Sequence, residues 1–331
     1  MKPGILGIGD ALPAHVITNL DLEQRLDTSD EWIVRRTGMR ERRHVQGDET
    51  LADLAAAAGS AALLDAAVPA SEIDHVIAAT ITPDQLTPGL APALAAKVGI
   101  EHAGVVDLNA ACVGFLYALA HAASLVESGQ ARNVLVVGAE ALSRITDQED
   151  RATAVLFADG AGAVVVGPVE QGLGIAGFEF GYDAELRPLL YAEREERKLR
   201  MAGQEVYRHA VARMTEATRE LLARLELDAS EIDYFVPHQA NARIVTAVAD
   251  ALGIPHERVS FNVEWTANTS AASIPLGLAA AAREGRLEPG ALIGMVAFGA
   301  GFVWGAGVSS WKDGPRPVHR REAEKVKTRS R

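Results

Sequence analysis

The chain carries the same stretch of sequence twice, and this repetition restricts its fold more than any other feature. Ala70-Ser71-Glu72-Ile73-Asp74 recurs as Ala229-Ser230-Glu231-Ile232-Asp233. Each copy follows an Ala/Leu-rich stretch of helical character, roughly 51–67 and 208–226, and precedes an apolar run, HVIAAT or YFVPHQ. Further on, Gly99-Ile100-Glu101-His102 is echoed by Gly253-Ile254-Pro255-His256. In both copies there follow a strand with an Asn near its end, an Ala-rich helix, a glycine turn and a last apolar strand, NVLVVGAE or LIGMVAFGAG. Corresponding points lie about 155 residues apart, which is the scale of a small domain. Hydrophobic residues form 48% of the chain and fall in short runs of Ala, Val, Leu and Ile, as buried parallel strands between helices require. Strands alternating with helices imply sheets covered on both faces. The expectation is an α/β protein of two like halves, 1–168 and 169–311, with their sites meeting at the junction. From Lys312 the chain turns polar and basic, and 312–331 is expected to be a solvated, disordered tail.

Several classes of function are disfavoured. The formal net charge is −12, which argues against general nucleic-acid binding. A single cysteine allows no internal disulfide and no cysteine cluster for zinc, and no metal site is expected. No signal-peptide core precedes ILGIGDALP, and no apolar run suits a bilayer span, so a soluble cytoplasmic protein is expected. Gly4 to Gly9, Asp159 to Gly162 and Gly299 to Gly301 are glycine-rich, but none has the full GxGxxG spacing followed by an acidic residue. They read as tight turns, and the last also offers backbone N–H groups to an oxyanion.

Three polar residues stand where chemistry is expected. Cys112 falls between a strand ending near Leu108 and a long apolar helix. A thiol at a helix N-terminus feels the positive end of the dipole, which favours the reactive thiolate. Small neighbours, Ala110, Ala111 and Gly114, leave room for a substrate. A buried structural cysteine is the alternative, and the residue types alone do not decide between them. His238 closes a strand of the second half, where α/β proteins place their sites; a hydrogen-bonded core histidine is the plainer reading. Asn268 opens an apolar helix, within a few residues of the position equivalent to Cys112 in the second copy, and an N-cap role would also place an Asn there.

Five segments together resemble the ketoacyl-carrier-protein synthase III family of the thiolase-like superfamily. They are Asp27 to Gly38 (DTSDEWIVRRTG), AACVGF around Cys112, PHQAN around His238, NTSAASIPL from Asn268, and FGAGFVWG near the end; the resemblance runs to about Trp311. It implies a five-layer αβαβα fold, in agreement with the duplication. It implies that Cys112 is the nucleophile acylated by acyl-CoA, which is a substrate rather than a cofactor. The N–H groups of Cys112 and Ala300 would form the oxyanion hole. His238 and Asn268 would donate hydrogen bonds to the malonyl thioester carbonyl and stabilise the enolate left by CO2 loss. Trp32 and Arg151 match positions that sandwich the CoA adenine, Arg36 a phosphate contact, and Asn241 and Gly203 the pantetheine tunnel. The malonyl group would arrive on CoA or acyl carrier protein, with Arg208 and Arg243 docking the carrier, and the enzyme would be a homodimer.

The chain also departs from the family pattern. Thr266-Ala267 replaces the frequent Tyr-Gly before Asn268, and Val303 replaces a Thr. Thr87 stands where some members place a Phe that closes the acyl pocket across the dimer interface, so a primer longer or bulkier than acetyl is expected. Asp250 and Ala251 replace lysines usual in some members, which predicts weaker or specialised carrier docking. The segment before Met201 is short and charged (AEREERKLR), and so a different pocket entrance is expected. A degradative thiolase normally needs a second catalytic cysteine, elongating ketosynthases use two histidines, and plant-type polyketide synthases run longer and end differently. A papain-like hydrolase lacks support in the context of Cys112. A starter-unit ketosynthase or a non-decarboxylating acyltransferase of the same fold remains the nearest alternative, and a catalytically dead binding protein the most distant.

Overall fold

The structure, a computed structural model, describes residues 2–314. Two sheets carry it. The first contains β1 (Lys2–Ala11), β2 (His75–Ala79), β3 (Gly104–Leu108), β4 (Val134–Ala141) and β5 (Asp159–Val169), in the spatial order β1-β5-β4-β2-β3. Strands β4, β2 and β3 run parallel, while β5 is antiparallel to both β4 and β1. The second contains β6 (Ile175–Tyr182), β7 (Tyr234–Pro237), β8 (Leu292–Gly299) and β9 (Val303–Ser310), in the order β7-β8-β9-β6. Here β7 and β8 are parallel and β9 is antiparallel to β8 and β6. A bridge from Phe235 to Val259 extends this sheet beyond β7, at the place β3 takes in the first. The repeated sequence thus folds into a repeated topology.

Strands β4 and β8 are buried at every position. Their runs VLVVGAEA and LIGMVAFG lack polar alternation because helices cover both faces. Helices α1 (Leu51–Ala66) and α2 (Leu90–Val98) pack outside the first sheet, and α4 (Gly203–Arg224) and α5 (Ala242–Leu252) outside the second. Helices α3 (Gly114–Glu127) and α6 (Ser273–Arg283) lie between the sheets and touch both. The layers are therefore α-β-α-β-α, the thiolase-like fold.

Local signals account for the helix ends. Thr50 caps α1 by accepting from Asp53 N, and the Asp53 carboxylate accepts from Thr50 N in return, so two free donors are satisfied together. Helix α4 starts earlier than its apolar periodicity predicts, at Gly203 rather than about 208. A glycine costs little there, because the first N–H groups of a helix have no helical partner in any case. The helix ends by Leu225, and Glu226 takes a positive φ of 55°. At the other end of the chain, Lys312 Nζ lies 2.9 Å from Asp65 Oδ1, and Asp313 Oδ1 accepts from Gln171 N at 2.7 Å. The first residues of the expected tail are therefore tied to the body. The rest of it, 315–331, lies outside the described residues.

Candidate active site

The two halves build matching turns. After β3 the chain passes Asn109 and enters a 3-10 turn, Ala111–Val113, which leads into α3. In the second half it passes Asn268 and enters the turn Ser270–Ala272, which leads into α6. Ala111 and Ser270 both adopt positive φ, 47° and 49°. Each turn is held by its asparagine: Asn109 Oδ1 accepts from Ala111 N at 3.4 Å and Asn268 Oδ1 from Ser270 N at 2.9 Å. Asn268 is therefore the counterpart of Asn109, and Cys112 corresponds to Ala271. The turns pack against each other at the seam between the halves. Each also rests on a glycine from the other half. A Cβ on Gly299 would lie 2.9 Å from Cys112 N, and one on Gly138 would lie 2.3 Å from Ala271 O.

His238 follows β7 and is 2% exposed. Its N–H donates to Val296 O at 2.8 Å, and Nδ1 lies 2.6 Å from Ser273 Oγ, at the start of α6. Ser273 Oγ also accepts from Gln239 N at 3.4 Å, and its own proton is available to donate to Nδ1. With Ser273 as the donor, the imidazole carries its proton on Nε2. Burial lowers the His238 pKa from 6.5 to about 4, so the ring is neutral at physiological pH. Asn268 is likewise oriented: Oδ1 is taken by Ser270 N, and the Nδ2 protons are left to donate. His238 and Asn268 thus supply two neutral N–H donors.

Cys112 departs from its expected electrostatics. The residue is half-buried with its thiol turned inward, and burial pushes that thiol up to about 12. Contact with the Ser270 hydroxyl lowers it and the charge of Glu140 raises it further. The dry walls thus penalise thiolate more than the helix terminus favours it. Glu140 was missed by the sequence reasoning, and Ser270 and Ser273, though they stand in the NTSAASIPL segment, were given no role. Glu140 is wholly buried at the end of β4 and its carboxyl is pushed up to about 7, chiefly by burial. The available signal was a lone acidic residue in an otherwise apolar strand.

The remaining candidates spread outward from this seam. Ala300 follows Gly299 and, with Ala111, lines an open cavity of about 1340 Å³ whose apolar walls include Ile81, Leu108, Tyr117 and Val303. Arg187, Glu193, Arg194 and Arg197 also line it, so the charged segment before Met201 forms part of its wall. Thr87 is exposed and is not part of the lining of its own chain's cavity. Trp32, Arg36 and Arg151 cluster on the surface, with the Arg151 guanidinium 4.9 Å from the Trp32 ring and that of Arg36 at 5.9 Å. Arg151 also donates to Asp27 O at 2.7 Å, and its guanidinium already covers one face of the Trp32 ring. Asn241 caps α5 and donates through Nδ2 to Arg36 O at 3.1 Å, which joins it to this cluster. Gly203 opens α4 at the surface, where an added Cβ would meet only Met201 Cε, at 3.8 Å. Arg243 lies over Tyr207 at 5.3 Å and, with Arg35, lines a shallow cleft of about 450 Å³. Arg208 is exposed and paired with Glu205.

Neutral donors and a buried thiol at one seam suit carbon–carbon bond formation at a thioester, and on this duplicated five-layer fold they define a thiolase-like condensing enzyme. The model of the 3-oxoacyl-[acyl-carrier-protein (ACP)] synthase III family matches residues 106–184, and that of its C-terminal region matches 222–311. A β-ketoacyl-[acyl-carrier-protein] synthase III of Bacillus pumilus is 44% identical over 94% of this chain and 99% of its own. The 3-oxoacyl-[acyl-carrier-protein] synthase III of Aquifex aeolicus superposes with a TM-score of 0.91 at 44% identity, covering 93% of this chain and all of that one. The priming β-ketosynthase of a polyketide biosynthetic pathway also superposes at 0.91, with 38% identity over 94% of this chain and 97% of its own. The chain belongs to the β-ketoacyl-[acyl-carrier-protein] synthase III family, condensing acyltransferases of fatty acid biosynthesis.

Proposed function

We propose that this enzyme takes an acyl group from acyl-CoA onto Cys112 and joins it to a malonyl thioester with loss of CO2, initiating fatty acid or polyketide synthesis. The observation that carries the reading is the setting of two neutral donors: the Ser273 hydroxyl meets His238 Nδ1, which leaves Nε2 to carry the proton, and Ser270 N holds Asn268 Oδ1, which leaves Nδ2 to donate. Decarboxylation of a malonyl thioester places negative charge on the carbonyl oxygen, and preorganised N–H groups stabilise that charge without reorganising. The resulting carbanion attacks acyl-Cys112, and the thioester intermediate divides one difficult step into two. The N–H groups of Cys112 and Ala300 serve as the oxyanion hole. Trp32, Arg36, Arg151, Asn241 and Gly203 line the route of the CoA moiety, and Arg208 and Arg243 meet the acyl carrier protein that delivers malonate. The enzyme needs no resident cofactor and acts in the cytoplasm; among the described residues no helix is long and apolar enough to cross a membrane. A primer longer than acetyl is supported by the large apolar cavity beside Ala111 and Ala300 and by the small residue at Thr87. A homodimer is supported by the free edge of β3, where Val105 and Val106 are 41% and 52% exposed.

The test is incubation with a panel of acyl-CoAs, with and without malonyl-carrier protein, reading protein mass and products together. The reading expects a Cys112 adduct that disappears on addition of the malonyl thioester and yields a β-ketoacyl product. An adduct that never gives a β-keto product would assign the chain to non-decarboxylating acyl transfer.

A further inference from the structure

The cavity beside Ala111 and Ala300 sorts the cations of the charged segment around it. Lys198, Arg200, Arg208 and Arg213 do not line it, and each pairs with a carboxylate, that of Asp147, Glu196, Glu205 and Glu216 in turn. Arg187, Arg194 and Arg197 do line it, and among the described residues none of their guanidiniums has an ion pair or a hydrogen bond. Carboxylates are not scarce in a chain with 44 acidic and 32 basic side chains. Of the acids in the lining, Asp84 is already held by Arg144 at 2.7 Å and by Leu51 N and Ala52 N, which leaves Glu193 against three guanidiniums. Two of the three stand on a fixed hairpin. Leu190–Ala192 pairs antiparallel with Leu199–Met201, and Leu190 and Leu199 are buried in the cavity wall. Arg197 N closes the turn by donating to Glu193 O at 2.8 Å, with Arg197 at a positive φ of 51°. Leu199 N donates to Ile145 O at 2.7 Å, and Lys198 bonds Asp147, so the hairpin is fastened to the body. Arg187 lies in the 3-10 turn just before it, Ala184–Leu189.

We propose that this cavity selects primers whose far end is a carboxylate, the CoA half-thioesters of dicarboxylic acids, with Arg187, Arg194 and Arg197 receiving that end. The proposal rests on the condensing reading above and specifies its primer. The methylenes of such a primer lie against Ile81, Leu108, Tyr117 and Val303, where their removal from water is favourable. Its carboxylate meets guanidiniums that are already charged and unpaired, and an arginine can hold a carboxylate through two parallel N–H···O bonds. A plain alkyl end gains nothing from these groups and displaces water from them. The anion is not a phosphate of CoA, because Trp32, Arg36 and Arg151, which the reading above assigns to CoA, do not line this cavity. The distal carboxylate takes no part in bond making, so the chemistry at Cys112 is the same for either kind of primer.

Adipyl-CoA and hexanoyl-CoA decide it, because their chains are equally long, both carry CoA, and only the distal group differs. In the wild type, kcat/KM for acylation of Cys112, followed by intact mass, should favour adipyl-CoA about 10-fold. That preference should shrink as salt rises from about 0.02 M to 0.5 M, since the arginines are reached by solvent. Arg194→Gln combined with Arg197→Gln should bring the ratio to within about twofold of parity. Arg194→Lys combined with Arg197→Lys should keep part of the preference, because the charge remains and the fork is lost. Each ratio is taken within one protein, so any loss of folded enzyme cancels. The proposal is overturned if the wild type takes hexanoyl-CoA as readily as adipyl-CoA, or if the glutamine pair keeps the wild-type ratio. If acetyl-CoA alone acylates Cys112 and condenses, the proposal fails and the condensing reading stands. If no thioester gives an adduct that malonyl-carrier protein converts to a β-ketoacyl product, the condensing reading fails, and the primer proposal with it.

Discussion

At the scale of the residue, a neutral histidine is useful here in only one of its two tautomers, and Ser273 selects it. Ser273→Ala removes the donor to Nδ1 without touching Cys112. The expected result is an unchanged rate of acyl-Cys112 formation with condensation slowed about 10-fold or more, measured by trapping the acyl-enzyme and then adding malonyl thioester. Equal slowing of both steps would show that Ser273 supports packing rather than tautomer. The pH dependence of folding separates two other buried groups. His238 is lowered from 6.5 to about 4, so its contribution to stability is present above 6.5 and is lost as pH falls toward 4. Glu140 is raised from 4.5 to about 7, so its contribution is present below 4.5 and is lost as pH rises through 7. Each is worth about 3 kcal/mol, and over the shared window they oppose each other. Glu140→Gln removes one side, and relative to wild type it should gain about 3 kcal/mol between pH 5 and pH 8 in urea unfolding. A difference that does not change with pH would show that Glu140 titrates normally. Cys112, His238 and Asn268 were legible because each sits in a motif. Glu140 sits in none, and Ser270 and Ser273 stand in the NTSAASIPL segment without a legible role, because their partners are set only when β4, the Asn268 turn and β7 meet in space.

At the scale of the element, the turn that holds Cys112 and the turn after Asn268 are the same object built twice, and their mutual packing requires glycine at two crossing strands. Gly299→Ala brings a methyl to 2.9 Å from Cys112 N, and Gly138→Ala brings one to 2.3 Å from Ala271 O. Both contacts are with backbone, which cannot rotate away. Each variant should lose roughly 1–3 kcal/mol in thermal or urea unfolding. Gly299→Ala should also slow acylation more than malonyl decarboxylation, since it displaces Cys112 rather than the two donors. Equal loss of both activities would remove the distinction. At this scale the sequence was highly legible: the repeated Ser-Glu-Ile-Asp, the strands and the central helices all fall where the duplication places them. The ends were less so. Helix α4 begins about one turn before the predicted start, because Gly203 and Gln204 are exposed and Val206 and Tyr207 pack only partly buried against the core.

At the scale of the whole molecule, strand β3 ends the first sheet and, among the described residues, has no partner on its outer edge, with Val105 and Val106 exposed on it. A flat apolar edge of this kind is normally covered. Pairing with β3 of a second copy would extend the sheet across a twofold axis. Thr87, beyond β2 and exposed, does not line the cavity of its own chain, so any influence on primer length must come through a neighbour. The two expectations can be tested against each other. Val106→Glu places like charges opposite each other at the edge and should convert a dimer to monomers in light scattering. Thr87→Phe should shift the wild-type product profile toward short primers, because a larger side chain shortens the pocket it enters. In the Val106→Glu background the same Phe should leave the chain-length profile unchanged, since it no longer reaches a pocket. If Thr87→Phe shifts the profile equally in both backgrounds, the side chain acts within its own subunit. If it shifts neither, the cavity is limited elsewhere, and the apolar wall of Ile81, Leu108 and Tyr117 becomes the place to change it.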